Sequence, residues 1–99
     1  MPTIIFLTEA VNDIENAASW YDQRRTDLGI EFKASILTAI EKIQSSKITY
    51  KPIHRGLCRI IIKRFPYLVY FKIEPKQEQI IIFAVLHMRQ RKSHLKGRK

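Results

Sequence analysis

Cys58-Arg-Ile-Ile-Ile-Lys-Arg-Phe-Pro-Tyr-Leu-Val-Tyr-Phe-Lys-Ile73 is followed by the polar Glu74-Pro-Lys-Gln-Glu-Gln79 and then by Ile80-Ile-Ile-Phe-Ala-Val-Leu-His-Met-Arg-Gln-Arg91. Three runs rich in Ile, Val, Tyr and Phe are separated by Pro66 and by a turn around Pro75, which predicts an antiparallel meander. In the first run Cys58, Ile60 and Ile62 share one face, with Arg59, Ile61 and Lys63 on the other. In the second, Tyr67, Val69, Phe71 and Ile73 read as core-facing, and Leu68, Tyr70 and Lys72 as half-exposed. Ile80 to Leu86 is apolar throughout and reads as the central strand, covered on both faces. Basic residues line one edge of these runs, which end in His87, Arg89 and Arg91, so the sheet reads as the working surface.

The rest of the chain reads as support for that sheet. Thr3 to Leu7 is a short apolar strand, and Thr8 stands where a helix N-cap belongs, with Glu9 in the first turn. From Glu9 to Asp27, Val11, Ile14, Ala18 and Tyr21 fall at helical spacing, and Leu28-Gly29 reads as the helix stop. A second helix spans Ile30 to Ser45 on a stripe of Phe32, Ile36, Ile40 and Ile43, widened by Leu37 and Ala39. The short break implies an antiparallel hairpin whose two stripes need a third surface to cover. Ser45 to Leu57 holds Pro52 and Gly56 and reads as an irregular connector. Met88 to Lys99 carries 6 Lys/Arg in 12 residues and no apolar period, so it reads as a basic tail, poorly ordered when free. The expected fold class is α+β in two layers, ordered β-α-α-β-β-β, in one domain over residues 1–99.

Ninety-nine residues suffice for one core and not two. The longest apolar run, Ile80 to Leu86, is far short of the ~20 residues of a membrane-spanning helix, so no membrane partner is expected. The first residues show no basic flank or small-residue cleavage site, and a single cysteine excludes an internal disulfide. Together these point to the cytoplasm. The net charge of +9 is segregated: 5 Lys/Arg against 7 Asp/Glu in residues 1–50, and 13 against 2 in residues 51–99, or −2 and +11. A half-chain at +11 attracts polyanions, either nucleic acid or an acidic protein.

His54, Cys58, His87 and His94 lack the paired-ligand spacing of a metal site, so neither metal nor other cofactor is expected. Cys58 has no activating neighbour and reads as core. Cleavage of RNA through its 2′-hydroxyl needs a base, a cation at the phosphate and an acid for the leaving oxygen. His87 suits the proton transfers, and Arg59, Arg64, Arg89 and Arg91 the phosphate charge. Tyr70 offers a ring to stack a base. On the opposing reading His87 ends a strand and packs, and the arginines bind acidic side chains.

Certain pieces of the chain resemble the RelE/ParE superfamily of bacterial type II toxins. These are Trp20-Tyr21, Leu28-Gly29 with Phe32, Arg64-Phe65-Pro66-Tyr67 with Tyr70, and Ala84-Val85-Leu86-His87 with Arg89 and Arg91. The resemblance covers nearly all of residues 3–92. It implies the RelE/ParE-like fold and the toxin of a toxin–antitoxin pair, bound in a hetero-oligomer by an antitoxin whose acidic C-terminal segment wraps it. RelE-like members are ribosome-dependent endoribonucleases acting on mRNA; ParE-like members poison DNA gyrase and are not nucleases. Phe65-Pro66-Tyr67 is similar to the ParE branch. RelE-like members more typically carry Gly-Asp-Tyr-Arg there and a tyrosine near the C-terminus, whereas this chain has no Tyr after Tyr70. The resemblance therefore implies a gyrase poison, with a ribosome-dependent nuclease or a degenerate, antitoxin-binding toxin as alternatives. For a nuclease the catalytic set would be His87, Arg64 and Arg89, with Glu41 the nearest acid. Target or antitoxin contacts would fall on Arg59, Lys63, Tyr70, Lys72 and Arg91.

Overall fold

In the computed structural model, residues 2–45, 50–53, 55–90 and 95 are described. The element order is β1 (Thr3–Phe6), α1 (Thr8–Arg24), α2 (Leu28–Ser45), β2 (Cys58–Ile61), β3 (Tyr67–Glu74) and β4 (Gln79–His87). The strands form one mixed sheet in the order β1-β4-β3-β2, with β1 parallel to β4 and the other pairs antiparallel. This is the expected two-layer α+β arrangement: a helix hairpin lies on one face of a meander that the N-terminal strand completes. The expected breaks hold as well. Pro66 lies in the loop between β2 and β3, and Pro75 opens a 3₁₀ turn, Pro75–Gln77, between β3 and β4.

The hairpin is turned differently from the sequence expectation. Leu7, extended at φ −70° and ψ 152°, occupies the N-cap position of α1, so Thr8 is the first helical residue and no side chain caps the helix. α1 ends at Arg24 rather than at Asp27, and Asp27, at φ 68°, supplies the left-handed residue of the turn. Gly29 therefore lies in the first turn of α2 and does not end α1. It is glycine for want of space. A Cβ there would stand 2.5 Å from the Ala18 carbonyl oxygen, and its N–H donates to Asp22 Oδ1 at 2.7 Å. The buried stripe of α1 runs through Ala10, Ala17 and Ala18, and Val11 is exposed; Leu37 of α2 is likewise exposed. Alanines on the inner face let α1 lie close against β4, and Lys33 of α2 reaches back to Glu15 of α1 at 2.8 Å.

One irregularity in the sheet decides where the site residues point. The β3–β4 register steps from Tyr70↔Ala84 to Phe71↔Ile82, so β4 spends one residue more than β3. A bulge of this kind reverses the in–out alternation beyond it. Before it, Ile80 and Ile82 face the helices; after it, Val85 does, together with His87, whose ring meets Tyr67 of the same cluster. α1 holds the far side of the bulge through Asp13, whose Oδ2 accepts the Val85 N–H at 3.0 Å.

The opposite face of the sheet is covered, which corrects the expectation of an open basic surface. Leu57, Leu68, Tyr70, Phe83, Ala84 and Leu86 form a second apolar cluster, closed by Leu95 at 6% exposure. Tyr70, expected half-exposed, is 2% exposed. Two strands, β3 and β4, carry Leu, Phe and Tyr on this side, too much apolar surface to leave in water. Of the residues after Gln90 only Leu95 is placed, in this cluster; the rest of the basic tail, 91–94 and 96–99, lies outside the described residues. β4 is an interior strand buried on both faces, as its unbroken apolar run foretold. Among the described residues no helix is long and apolar enough to cross a membrane.

Candidate functional site

Where β4 leaves the sheet, a cleft of about 650 Å³ opens between α1 and the ends of β3 and β4. His87 and Arg89 line it from the strand side, Asp13, Trp20 and Tyr21 from α1, and Tyr67 from β3. The His87 ring is fixed from several directions. Its Nδ1 accepts the Arg89 backbone N–H at 3.0 Å, and the His87 backbone N–H donates to Gln90 Oε1 at 2.8 Å. The Gln90 N–H returns to the His87 carbonyl at 2.8 Å, closing a tight turn. Tyr67, opposite His87 in the ladder, meets its ring edge-on at 5.2 Å between centroids. With Nδ1 accepting, neutral His87 carries its proton on Nε2.

Behind the cleft, aromatic rings form the wall. Tyr21 packs on Phe65 at 4.9 Å and on Phe32 at 5.3 Å, and Phe32 touches Tyr67 at 5.0 Å. Burial, and then the Tyr67 phenol beside it, push the Tyr21 phenol above its ordinary value; burial does the same for Tyr67. Both phenols are neutral near pH 7 and serve as hydrogen-bonding groups there. Trp20 stands at the rim, 48% exposed, with the Arg24 guanidinium 4.1 Å from its ring centre.

Of the three residues named for nuclease chemistry, His87 and Arg89 share this cleft and Arg64 does not line it. Arg64, at φ 75°, turns toward α2, where its Nη2 meets Glu31 Oε1 at 2.6 Å. Glu31 also holds Arg25 at 3.1 Å, so one carboxylate joins the helix turn to the β2–β3 loop. Hydrogen bonds from Arg64 and then Arg25 hold the Glu31 carboxyl below its ordinary range. The acid that Arg64 meets is thus Glu31, not Glu41, and the acid in the His87 cleft is Asp13.

The contact residues divide among surfaces. Arg59, opposite Tyr70 in the β2–β3 ladder, and Lys72 lie on the sheet face away from the helices, and Lys72 pairs with Glu74 at 3.4 Å. Lys63 and Arg64 line a groove between α2 and β2 with Lys42 and Ile61. Tyr70 is enclosed and offers no ring to a ligand. Arg91, His54 and His94 lie outside the described residues. Among the described residues no three His, Cys, Asp or Glu side chains converge as a metal site. Cys58 is buried and its thiol is pushed up by burial, as befits a core residue. Sequence reasoning missed Asp13 and Tyr67 as site residues. Asp13 had no signal, being one of several polar residues on α1, whereas Tyr67 needed only the ladder register that sets it against His87.

The family model for the ParE toxin of the type II toxin–antitoxin system parDE matches residues 4–92. The chain belongs to this ParE toxin family. It is therefore a type II toxin, and the ParE side of the superfamily resemblance is the one upheld. A solved structure titled "Chromosomal ParDE TA system from P. aeruginosa" superposes with a TM-score of 0.74 at 14% identity, covering 88% of this chain and 96% of that one. At that identity the likeness speaks for the fold. No curated protein matches the ParE-family chain in sequence.

Proposed function

We propose that this toxin arrests growth by ParE-like poisoning of DNA gyrase through protein–protein contact. In the cytoplasm it would be held in check by a cognate antitoxin whose acidic C-terminal segment wraps it as a hetero-oligomer. The observation that supports a non-catalytic action is the dispersal of the nuclease set. Arg64 is clasped by Glu31, while His87 and Arg89 line the α1 cleft. A phosphoryl transfer needs its cation and its acid–base group at one phosphate. The half-chain at +11 suits an acidic antitoxin segment that folds on binding. The test is gyrase supercoiling with antitoxin-free toxin titrated in and linear DNA scored on a gel. Inhibition with accumulating linear DNA is expected, and His87→Ala should retain it within about twofold, the size of an ordinary surface effect.

A second reading, a ribosome-dependent endoribonuclease, draws on the cleft itself, which holds a histidine, an arginine and the Asp13 carboxylate together. It predicts ribosome binding that falls steeply with salt. It also predicts that His87→Ala abolishes toxicity in a protein still folded, with no effect on supercoiling.

A further inference from the structure

Among the described residues β1 pairs with β4 on one side and with no strand on the other. The N–H of Thr3 donates to the Glu78 carbonyl and that of Leu7 to the Ile82 carbonyl, so the odd positions of this stretch turn their main-chain groups to β4. Those of Ile4 and Phe6 therefore point to the open side. Gln44 of α2 meets the Pro2 carbonyl at 2.6 Å, which closes the edge only at its start. Edge strands are ordinarily guarded by charge, and β2, the other edge, is: it carries Arg59 and runs into Lys63 and Arg64. Thr3–Phe6 carries no charge. Beside it lies an almost wholly apolar groove of about 240 Å³, lined by Phe6, Val11, Ile14, Ile36 and Leu37. Phe6, Val11 and Leu37 are exposed. The only charges lining it, Glu15 and Lys33, pair with each other at 2.8 Å.

We propose that the β1 edge and this groove form one interface with a second copy of the chain, the two β1 strands pairing antiparallel about a twofold axis. With Ile5 facing the partner's Ile5, Ile4 stands opposite the partner's Phe6. Both turn their main-chain groups outward, as the hydrogen-bonded pairs of an antiparallel ladder require. An axis normal to the sheet keeps both hairpins on one side of the joined sheet, so Phe6, Val11 and Leu37 of the two copies meet beside the new ladder. Charge selects this occupant. The strand order β1-β4-β3-β2 puts the basic edge at the far side of the sheet, and residues 1–50 sum to −2 against +11 for the rest. Two copies joined at β1 hold their basic β2 edges apart. An acidic segment such as an antitoxin's is drawn to the basic half instead and finds no net charge at the β1 groove. The proposal is independent of the gyrase reading, since it concerns how free copies associate and not what they inhibit.

The full-length toxin, free of antitoxin, is followed by sedimentation equilibrium across a concentration series and by amide hydrogen exchange at both ends of that series. The mass should rise with concentration to twice that of one chain. Salt should strengthen the association, because two chains at +9 repel each other. The Ile4 and Phe6 amides should exchange about tenfold more slowly in the dimer than in the dilute monomer. The double change Val11→Gln and Leu37→Gln, checked for native circular dichroism, should weaken the dimer about tenfold or more. Ile61→Gln removes an apolar residue of like exposure, 60% against 56% for Leu37, from the β2 edge and should leave the dimer unchanged. A toxin still monomeric at high concentration and high salt overturns the proposal. So does a dimer whose Ile4 and Phe6 amides exchange as in the monomer, or one lost in Ile61→Gln and kept in the double variant. Protection of Ile4 and Phe6 that arises only when the cognate antitoxin is added to a monomeric toxin gives the edge to the antitoxin and overturns it as well.

Discussion

Gly29 carries more of the hairpin than its position in the sequence suggests. Helix propensity favours alanine over glycine by about 1 kcal/mol, so Gly29→Ala, considered locally, should stabilise α2. The contact geometry decides otherwise. The added methyl would stand 2.5 Å from the Ala18 carbonyl and 2.9 Å from the Asp22 carboxyl carbon. The first is backbone and cannot rotate away, so α1 and α2 would have to separate. A net destabilisation of about 1–3 kcal/mol is expected, of the size seen for overpacked cores. Urea unfolding of Gly29→Ala measures it, and an unchanged midpoint would mean that the helices are not in this contact. The turn beside it would also loosen, since Asp22 Oδ1 accepts the Gly29 N–H. From the sequence, Leu-Gly at the end of an apolar stripe reads as a stop signal. The physical demand was close approach between helices, which local pattern does not encode.

At the scale of elements, apolar runs and apolar periods foretold the order and type of the described strands and α-helices, because both are local properties. They did not foretell the β4 bulge. Ile80 to Leu86 is apolar at every position, so either register buries it equally well and no residue marks the extra one. Yet the bulge is what turns Val85 toward the helices and sets His87 against Tyr67. The candidate site was legible as residue types and not as an arrangement. His87 and Arg89 follow from the strand end, but Arg64's clasp by Glu31 spans 33 residues and depends on the hairpin turn. Leu95 was illegible for a related reason: a single leucine in a basic tail has no period. It nonetheless closes the second cluster over Leu68, Tyr70 and Leu86. Leu95→Ala should therefore cost about 2–4 kcal/mol, the range for a buried leucine whose site cannot collapse fully. Chemical denaturation measures the loss, and dye binding to apolar surface should rise with it. Wild-type values on both would mean that the sheet's far face is open in solution.

For the whole molecule, the charge and the buried weak acids act in opposite directions as pH rises. At pH 7 the net +9 repels itself, and salt screens that repulsion, so adding salt should raise the melting temperature by a few degrees. That benefit should shrink as the net charge falls with rising pH. Cys58, Tyr21 and Tyr67 then take over. Burial raises all three above ordinary values of 9.0 for the thiol and 10.0 for the phenols. Above those values the unfolded chain releases protons that the folded chain still holds. The native state thus binds more protons, and stability falls as pH rises. The stability these groups contribute is complete below pH 9 and is lost above it. In high salt, where repulsion is already screened, melting temperature should be level from pH 7 to 9 and then decline. Cys58→Ala should delay the onset of the decline toward pH 10 without removing it, since the two phenols remain. A melting temperature that keeps rising past pH 10 in high salt would show that charge repulsion, and not the burial of these three groups, governs the alkaline limit of the fold.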